Sequence, residues 1–244
     1  MMHTEIIFYL LLLLVAFLYA SVGHGGASGY LALMSFYSFD PGTMRSSALL
    51  LNIIVSLIAF VQYYRSGYFG WQLFWPFAIT SIPAAFTGGL IAVNAGLYKQ
   101  ILGVLLLFPA VRLAGINFHS EISKKEQNII ASLLIGAVIG LASGIIGIGG
   151  GIILSPVILL LHWADMKQTA AISALFIFVN SLAGLAGLFA TGFEYKPEMG
   201  MMIAIAFTGG LAGSYFGAKK FESALLKKIL AAVLLIAAVK LLFT

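Results

Sequence analysis

No charged side chain occurs from Ile6 to Phe39, a run of 34 residues, or from Gln127 to Ala164, a run of 38. A single bilayer span needs about 20 apolar residues, and two spans with a turn need roughly 40 to 45. Each run is therefore too long for one helix and short for two. Both are interrupted near the middle by glycines, at Gly23-His24-Gly25-Gly26 and at Gly147-Ile148-Gly149-Gly150-Gly151. Glycine costs about 1 kcal/mol relative to alanine inside a helix, so such clusters mark unwound backbone. Each run reads as helix, loop, helix, with the loop at membrane depth.

Composition fixes the class. Of 244 residues, 61% are hydrophobic and 9% charged, against about 25% charged in soluble domains. A soluble enzyme, a disordered chain and a nucleic-acid-binding domain are excluded, leaving an all-α polytopic membrane protein whose principal partner is the lipid bilayer. The formal charge of +5 implies no nucleic acid, because the Lys and Arg residues sit at segment ends. The absence of cysteine removes disulfides and thiolate chemistry. No Lys or Arg precedes the first apolar run and no small-x-small site follows it, so the first helix is expected to be retained rather than cleaved.

Ordinary spans are expected after each run: Ser46–Tyr64, Trp71–Val93 and Gln100–Phe118, then Gln168–Phe193, Met199–Ala218 and Ile229–Phe243. The polar stretch 119–126 links two membrane halves, 1–118 and 127–244. The halves carry an internal repeat. Gly23-x-Gly25-Gly26 matches Gly147-x-Gly149-Gly150, Arg65-Ser66-Gly67 matches Ala190-Thr191-Gly192, Gly88-Gly89 matches Gly209-Gly210, and Lys99–Leu102 matches Lys227–Leu230, in the same order and at nearly one offset. If the broken runs cross the bilayer fully, the 13 Lys and Arg divide seven to six. If they dip in and return, nine fall on one side, leaving Arg45, Lys99, Lys196 and Lys240 on the other. The second division obeys the cytoplasmic bias of basic residues better. It implies three crossings per half, an inverted repeat, a multi-pass protein of the cell membrane and both termini outside.

With Gly-x-Gly-Gly-Gly followed by Pro156, its weaker copy at Gly23–Gly26 and a duplicated layout around a charged loop, the chain resembles the sulfite exporter TauE/SafE family over essentially its whole length. The first copy departs from the pattern: Ala27 replaces the third glycine and no proline matches Pro156. The resemblance implies export of sulfite, sulfonates or related sulfur oxyanions.

The residues themselves suggest how an anion is held. A helix broken inside the membrane exposes backbone N–H groups, and roughly half a positive charge, at the start of the next half-helix. Glycine lets a ligand approach that backbone. Half-helices are expected to start near Ala27 and Ile152, without any basic side chain in either run. Gly25, Gly26, Ala27 and Ser28, with Gly149, Gly150 and Gly151, form the candidate site for a small anionic solute. The alternative is that these glycines serve only close helix packing. Gly136, Gly140 and Gly144, and likewise Gly209, Gly213 and Gly217, recur every four residues and are assigned to packing.

His24 would couple protons, contact the anion, or bond a loop carbonyl structurally. Asn52, Asn180 and Ser181 lie mid-helix, where they line a cavity or bond between helices. Thr80, Ser81 and Thr208 are weaker candidates. Gly26-Ala27-Ser28-Gly29 fits an intramembrane serine protease only if a histidine base reaches Ser28, and none is expected on a later helix. The carboxylates lie at span edges, so no metal site or cofactor is expected, and no ATP-binding P-loop occurs. A passive anion channel remains the rival to a secondary transporter, and a homodimer is compatible with either.

Overall fold

The computed structural model describes residues 2–21, 23–113, 125–192, 196–219, 234–236 and 238–243. In the first half, α1 (Met2–Ser21) and α2 (Ala27–Phe36) are followed by α3 (Pro41–Arg65), α4 (Trp71–Leu90) and α5 (Ala95–Leu113). In the second, α6 (Ile129–Ile146) and α7 (Gly151–Leu160) are followed by α8 (Met166–Ala190), α9 (Pro197–Lys219) and α10 (Leu234–Phe243). Helices α3, α4, α6, α8 and Pro197–Phe216 of α9 are long and apolar enough to cross a membrane. Most of the linker (119–124), the expected span ends at 114–118 and 229–233, and the Lys227–Leu230 repeat match lie outside the described residues.

Local chemistry accounts for where the helices begin. Helix α3 starts five residues earlier than the hydrophobic pattern suggests because Asp40 caps it, accepting the Thr43 N–H at 2.9 Å with Pro41 in the first turn. Asp165 caps α8 in the same way, accepting from Lys167 and Gln168 at 3.0 and 2.9 Å. Both helices have 25 residues, and each is followed by a left-handed glycine, Gly67 (φ 76°) or Gly192 (φ 92°). Burial raises the Asp40 carboxyl, but hydrogen bonds from Thr43 and contact with Lys196 outweigh it and hold the group at about 2. The cap therefore contributes fully above the ordinary carboxylate range and is lost only as pH falls through that low value.

Both broken runs turn back. Phe8 packs edge-on against Tyr37 at 5.0 Å and stacks on Phe39 at 5.4 Å, bringing the end of α2 beside the early part of α1. The Lys125 N–H donates to the His162 carbonyl at 2.9 Å, bringing the end of α7 beside the approach to α6. Lys196, before α9, reaches Asp40 and Thr43 at the start of α3. Lys167, at the start of α8, reaches the Tyr68 hydroxyl just beyond the end of α3. The two helical hairpins therefore enter the bundle from opposite ends of α3.

The halves interlock rather than sit side by side. Helix α4 packs on α6 and α8 of the other half, and α9 packs on α1 and α3. Gly136, Gly140 and Gly144 of α6 lie against the backbone at Phe77, Ser81 and Ala85 of α4, the packing role their spacing suggests. Gly209 and Gly213 of α9 do the same against Leu13 and Phe17 of α1. The opposite face of α6 exposes Ile130, Leu134, Val138 and Leu141, the apolar surface lipid requires.

A Cβ on Gly144 would fall on the Ala85 carbonyl, and overpacking against backbone costs roughly 1–3 kcal/mol. Gly144→Val is expected to lower the melting temperature in detergent by about 2–12 °C. Gly70→Ala, at an open position, should leave it within about 2 °C; equal effects would contradict the packing account.

Candidate functional site

The glycine loops end each leading helix and start its half-helix. Gly147 (φ 88°) terminates α6, and Gly150 (φ 74°) and Gly26 (φ 95°) precede α7 and α2 in the left-handed conformation that favours glycine. The half-helices begin at Ala27 and at Gly151, the latter one residue before Ile152 because Gly150 already caps it.

The loops converge on Asn52 of α3, which is fully buried. Its Oδ1 accepts the Ala27 N–H at 3.1 Å. A Cβ built on Gly25 would lie 2.5 Å from that Oδ1 and 2.9 Å from Ile177 Cγ2 of α8. A Cβ on Gly149 would lie 2.7 Å from Asn52 Nδ2, 2.7 Å from the same Ile177 methyl and 3.0 Å from Ser181 Oγ. The two loops therefore meet the same pair of side chains, one from each long central helix. Nothing larger than hydrogen fits at either glycine.

Several polar groups here remain unsatisfied. Asn52 Nδ2 and Ser181 Oγ, both buried and both against Gly149, have no hydrogen-bond partner among the described residues. The N–H groups of Ser28 and Gly29 in α2, and of Gly151 and Ile152 in α7, likewise meet no acceptor among those residues. Two helix N-termini, an amide and a hydroxyl thus present donors in one region. Leaving such groups unpaired in low dielectric is costly, whereas a bound oxyanion would satisfy them.

Most of the remaining candidates have partners of their own. Ser28 Oγ shares a 2.6 Å hydrogen bond with the Tyr19 hydroxyl, and His24 faces elsewhere, so no Ser28–His24 dyad forms. His24 Nε2 lies 3.0 Å from Ser155 Oγ on α7, which is 2.6 Å from Ser173 Oγ on α8 and donates to the Gly151 carbonyl at 2.9 Å. His24 thus joins the first loop to the second half-helix through side chains, rather than bonding only within its own loop. Asn180 Nδ2 bonds the Phe176 carbonyl of its own helix at 2.8 Å, leaving Oδ1 without a partner. Gly150 packs against Ile139 and Phe176, and Gly151 against Ile177, so side chains added there would disturb packing first. Thr80 reaches the Leu133 carbonyl of α6, Thr208 bonds its own helix, and buried Ser81 Oγ has no partner among the described residues.

One residue that composition and spacing pass over is Arg45. Charges at segment ends read as interfacial, yet Arg45 is only 7% exposed. Its guanidinium donates to the carbonyls of Gly144 (3.0 Å), Ile91 (3.1 Å), Gly88 (2.7 Å) and Gly89 (2.8 Å), and its backbone lies against Gly147. The Tyr98 hydroxyl covers the next carbonyl end, that of Ile146, at 3.0 Å. A histidine or arginine with such partners has no local sequence signature; only the tertiary contacts expose it.

Residues 8–241 match the family described as sulfite exporter TauE/SafE. A protein described as a probable membrane transporter in Sinorhizobium fredii is 35% identical over 237 residues, covering 94% of this chain and 94% of that protein. Another so described in Methanocaldococcus jannaschii is 25% identical over 188 residues, covering 72% of this chain and 70% of that protein. No solved structure matches the chain.

Replacing His24 tests whether its side-chain bridge matters to the fold. His24→Ala removes one partner of the Ser155–Ser173 pair, worth about 1–2 kcal/mol, and is expected to lower the melting temperature by about 2–8 °C. His24→Gln, whose amide can reach Ser155, should recover most of that loss; identical losses would show that the hydrogen bond contributes nothing.

Proposed function

The chain belongs to the sulfite exporter TauE/SafE family of membrane transporters, and we propose that it is a secondary transporter exporting small sulfur oxyanions such as sulfite or sulfonates. The anion binds where the two half-helices begin, held by the N–H groups of Ser28, Gly29, Gly151 and Ile152 together with Asn52 Nδ2 and Ser181 Oγ. The observation that carries this reading is Asn52. Its carboxamide spans both loops and keeps its donor end unpaired beside Gly149, which suits a negative ligand. Asn180 is left out of the site because its unpaired atom is an acceptor, which offers an anion nothing.

Backbone dipoles bind an oxyanion without a contacting full charge, so release stays fast enough for transport. The entry of the two hairpins from opposite ends of α3 supports an inverted repeat, and the excess of Lys and Arg on one side of it favours both termini outside. In such carriers the site lies near the bilayer midplane, and one unit rocks against the other to open it alternately. The shared glycine contacts of the interlocked helices, backbone against backbone, give smooth surfaces for that motion.

Proteoliposome flux tests the reading. Sulfite and methanesulfonate should saturate and compete, with chloride transported poorly; flux linear in concentration for all three would favour a pore. Asn52→Asp keeps the acceptor that caps Ala27 but points a carboxylate at the anion, and should reduce flux at least about a hundredfold while the protein still purifies as folded. Ser181→Ala removes one hydrogen bond and should weaken apparent affinity by roughly two- to tenfold. Wild-type flux from Asn52→Asp would sink the assignment.

A further inference from the structure

Arg45 is a buried cation that the proposed binding contacts leave unused. All its hydrogen-bond partners among the described residues are backbone carbonyls, and it forms no ion pair among those residues. Those carbonyls belong to the C-terminal ends of α4 and α6. A helix C-terminus carries roughly half a negative charge, and α6 ends at the very loop from which α7 starts. Left bare, the ends of α4 and α6 would direct about one unit of negative charge toward the place where an anion must sit.

We infer that Arg45 sets the charge selectivity of the central site, cancelling the negative ends of α4 and α6 so that the half-helix N-termini dominate the local field. The inference rests on the anion-transport reading of the same site. Arg45 and Asn52 stand seven residues apart on α3, about two turns or roughly 10 Å along the axis, and Arg45 packs against Gly147, two residues before Gly149. It is a positioning and electrostatic residue that touches no substrate. At that distance, with an effective dielectric near 20, one unit of charge changes a monoanion's affinity on the order of tenfold. For a dianion the exponent doubles, to on the order of a hundredfold.

The repeat relation sharpens the point. Gly23, which corresponds to Gly147, packs against Ala170 of α8 as Gly147 packs against Arg45 of α3. The end of α1 is closed by neutral groups instead: the Ser21 hydroxyl on the Leu18 carbonyl and the N–H groups of His24 and Gly23 on Tyr19 and Ala20. Among the described residues, the break at the end of α6 thus carries a charged cap and the matching break at the end of α1 does not.

The test uses anions of different valence on the full-length protein in proteoliposomes at about pH 8.5, with sulfite as dianion and methanesulfonate as monoanion. In Arg45→Gln, half-saturation is expected to rise about tenfold for methanesulfonate and about a hundredfold for sulfite. A merely structural role would raise both by one common factor, and that result, or no change in either, overturns the inference. Arg45→Lys keeps the charge with fewer donors. Its sulfite-to-methanesulfonate ratio should stay within about twofold of wild type even where maximal flux falls, and a tenfold shift in that ratio overturns the inference even if Arg45→Gln cannot be purified. Wild-type protein that transports neither anion would overturn the anion reading itself, and the role of Arg45 with it.

Discussion

Two helices that stop inside a helical bundle leave backbone donors and acceptors in its buried interior, and the carboxamide of Asn52 is what makes that arrangement tenable. It accepts from Ala27 at the head of one half-helix and lies against Gly149 just before the other. Unwound backbone survives at such depth only when enclosed by protein or lining a polar cavity. Here protein encloses it: α3 and α8 wall the loops with Asn52, Ile177 and Ser181, while several donors are still left over. Those surplus donors are the physical basis of the proposed anion site, which would need no side-chain cation in contact.

The same economy governs the scaffold. Each half lends its third long helix to the other half's broken segment, α4 to α6 and α9 to α1, with glycine against carbonyl along both seams. Close backbone approach replaces the hydrophobic effect, which drives no association between helices already in lipid. The carbonyl ends produced by the breaks are then closed one by one. Arg45 and Tyr98 cover α6, Ser21 and the turn at Gly23 cover α1, and Lys240 reaches the last carbonyls of α2 at Ser35 and Phe36. The two half-helix N-termini keep spare donors while the C-termini of α1, α2 and α6 are capped, a polarity that favours a negative ligand.

Much of this architecture was legible in the residues. Charge-free runs of awkward length split by glycine could only be broken helices, and the four-residue glycine spacing on α6 and α9 announced the faces that pack. The early start of α3 was not legible, because Asp40 and Pro41 interrupt the apolar pattern while capping the helix it belongs to. The residues place Ala27 and Ser28 at the open head of a half-helix. In the fold, the Ala27 N–H is taken by Asn52 and the Ser28 hydroxyl by Tyr19, and these pairings depend on helices folding back across the chain. Arg45 escaped for the complementary reason: a basic residue near a segment end looks interfacial in sequence, and only the return of α4 and α6 buries it.

The most direct test of the central claim is a titration of 15N-glycine-labelled protein in detergent with sulfite, followed through glycine amide resonances. The account predicts that the amide of Gly29 and those of Gly149, Gly150 and Gly151 shift together along one saturation curve, while the packing glycines Gly136 and Gly140 stay in place. Saturable sulfite binding that leaves the loop amides unmoved would mean that the anion is held somewhere else.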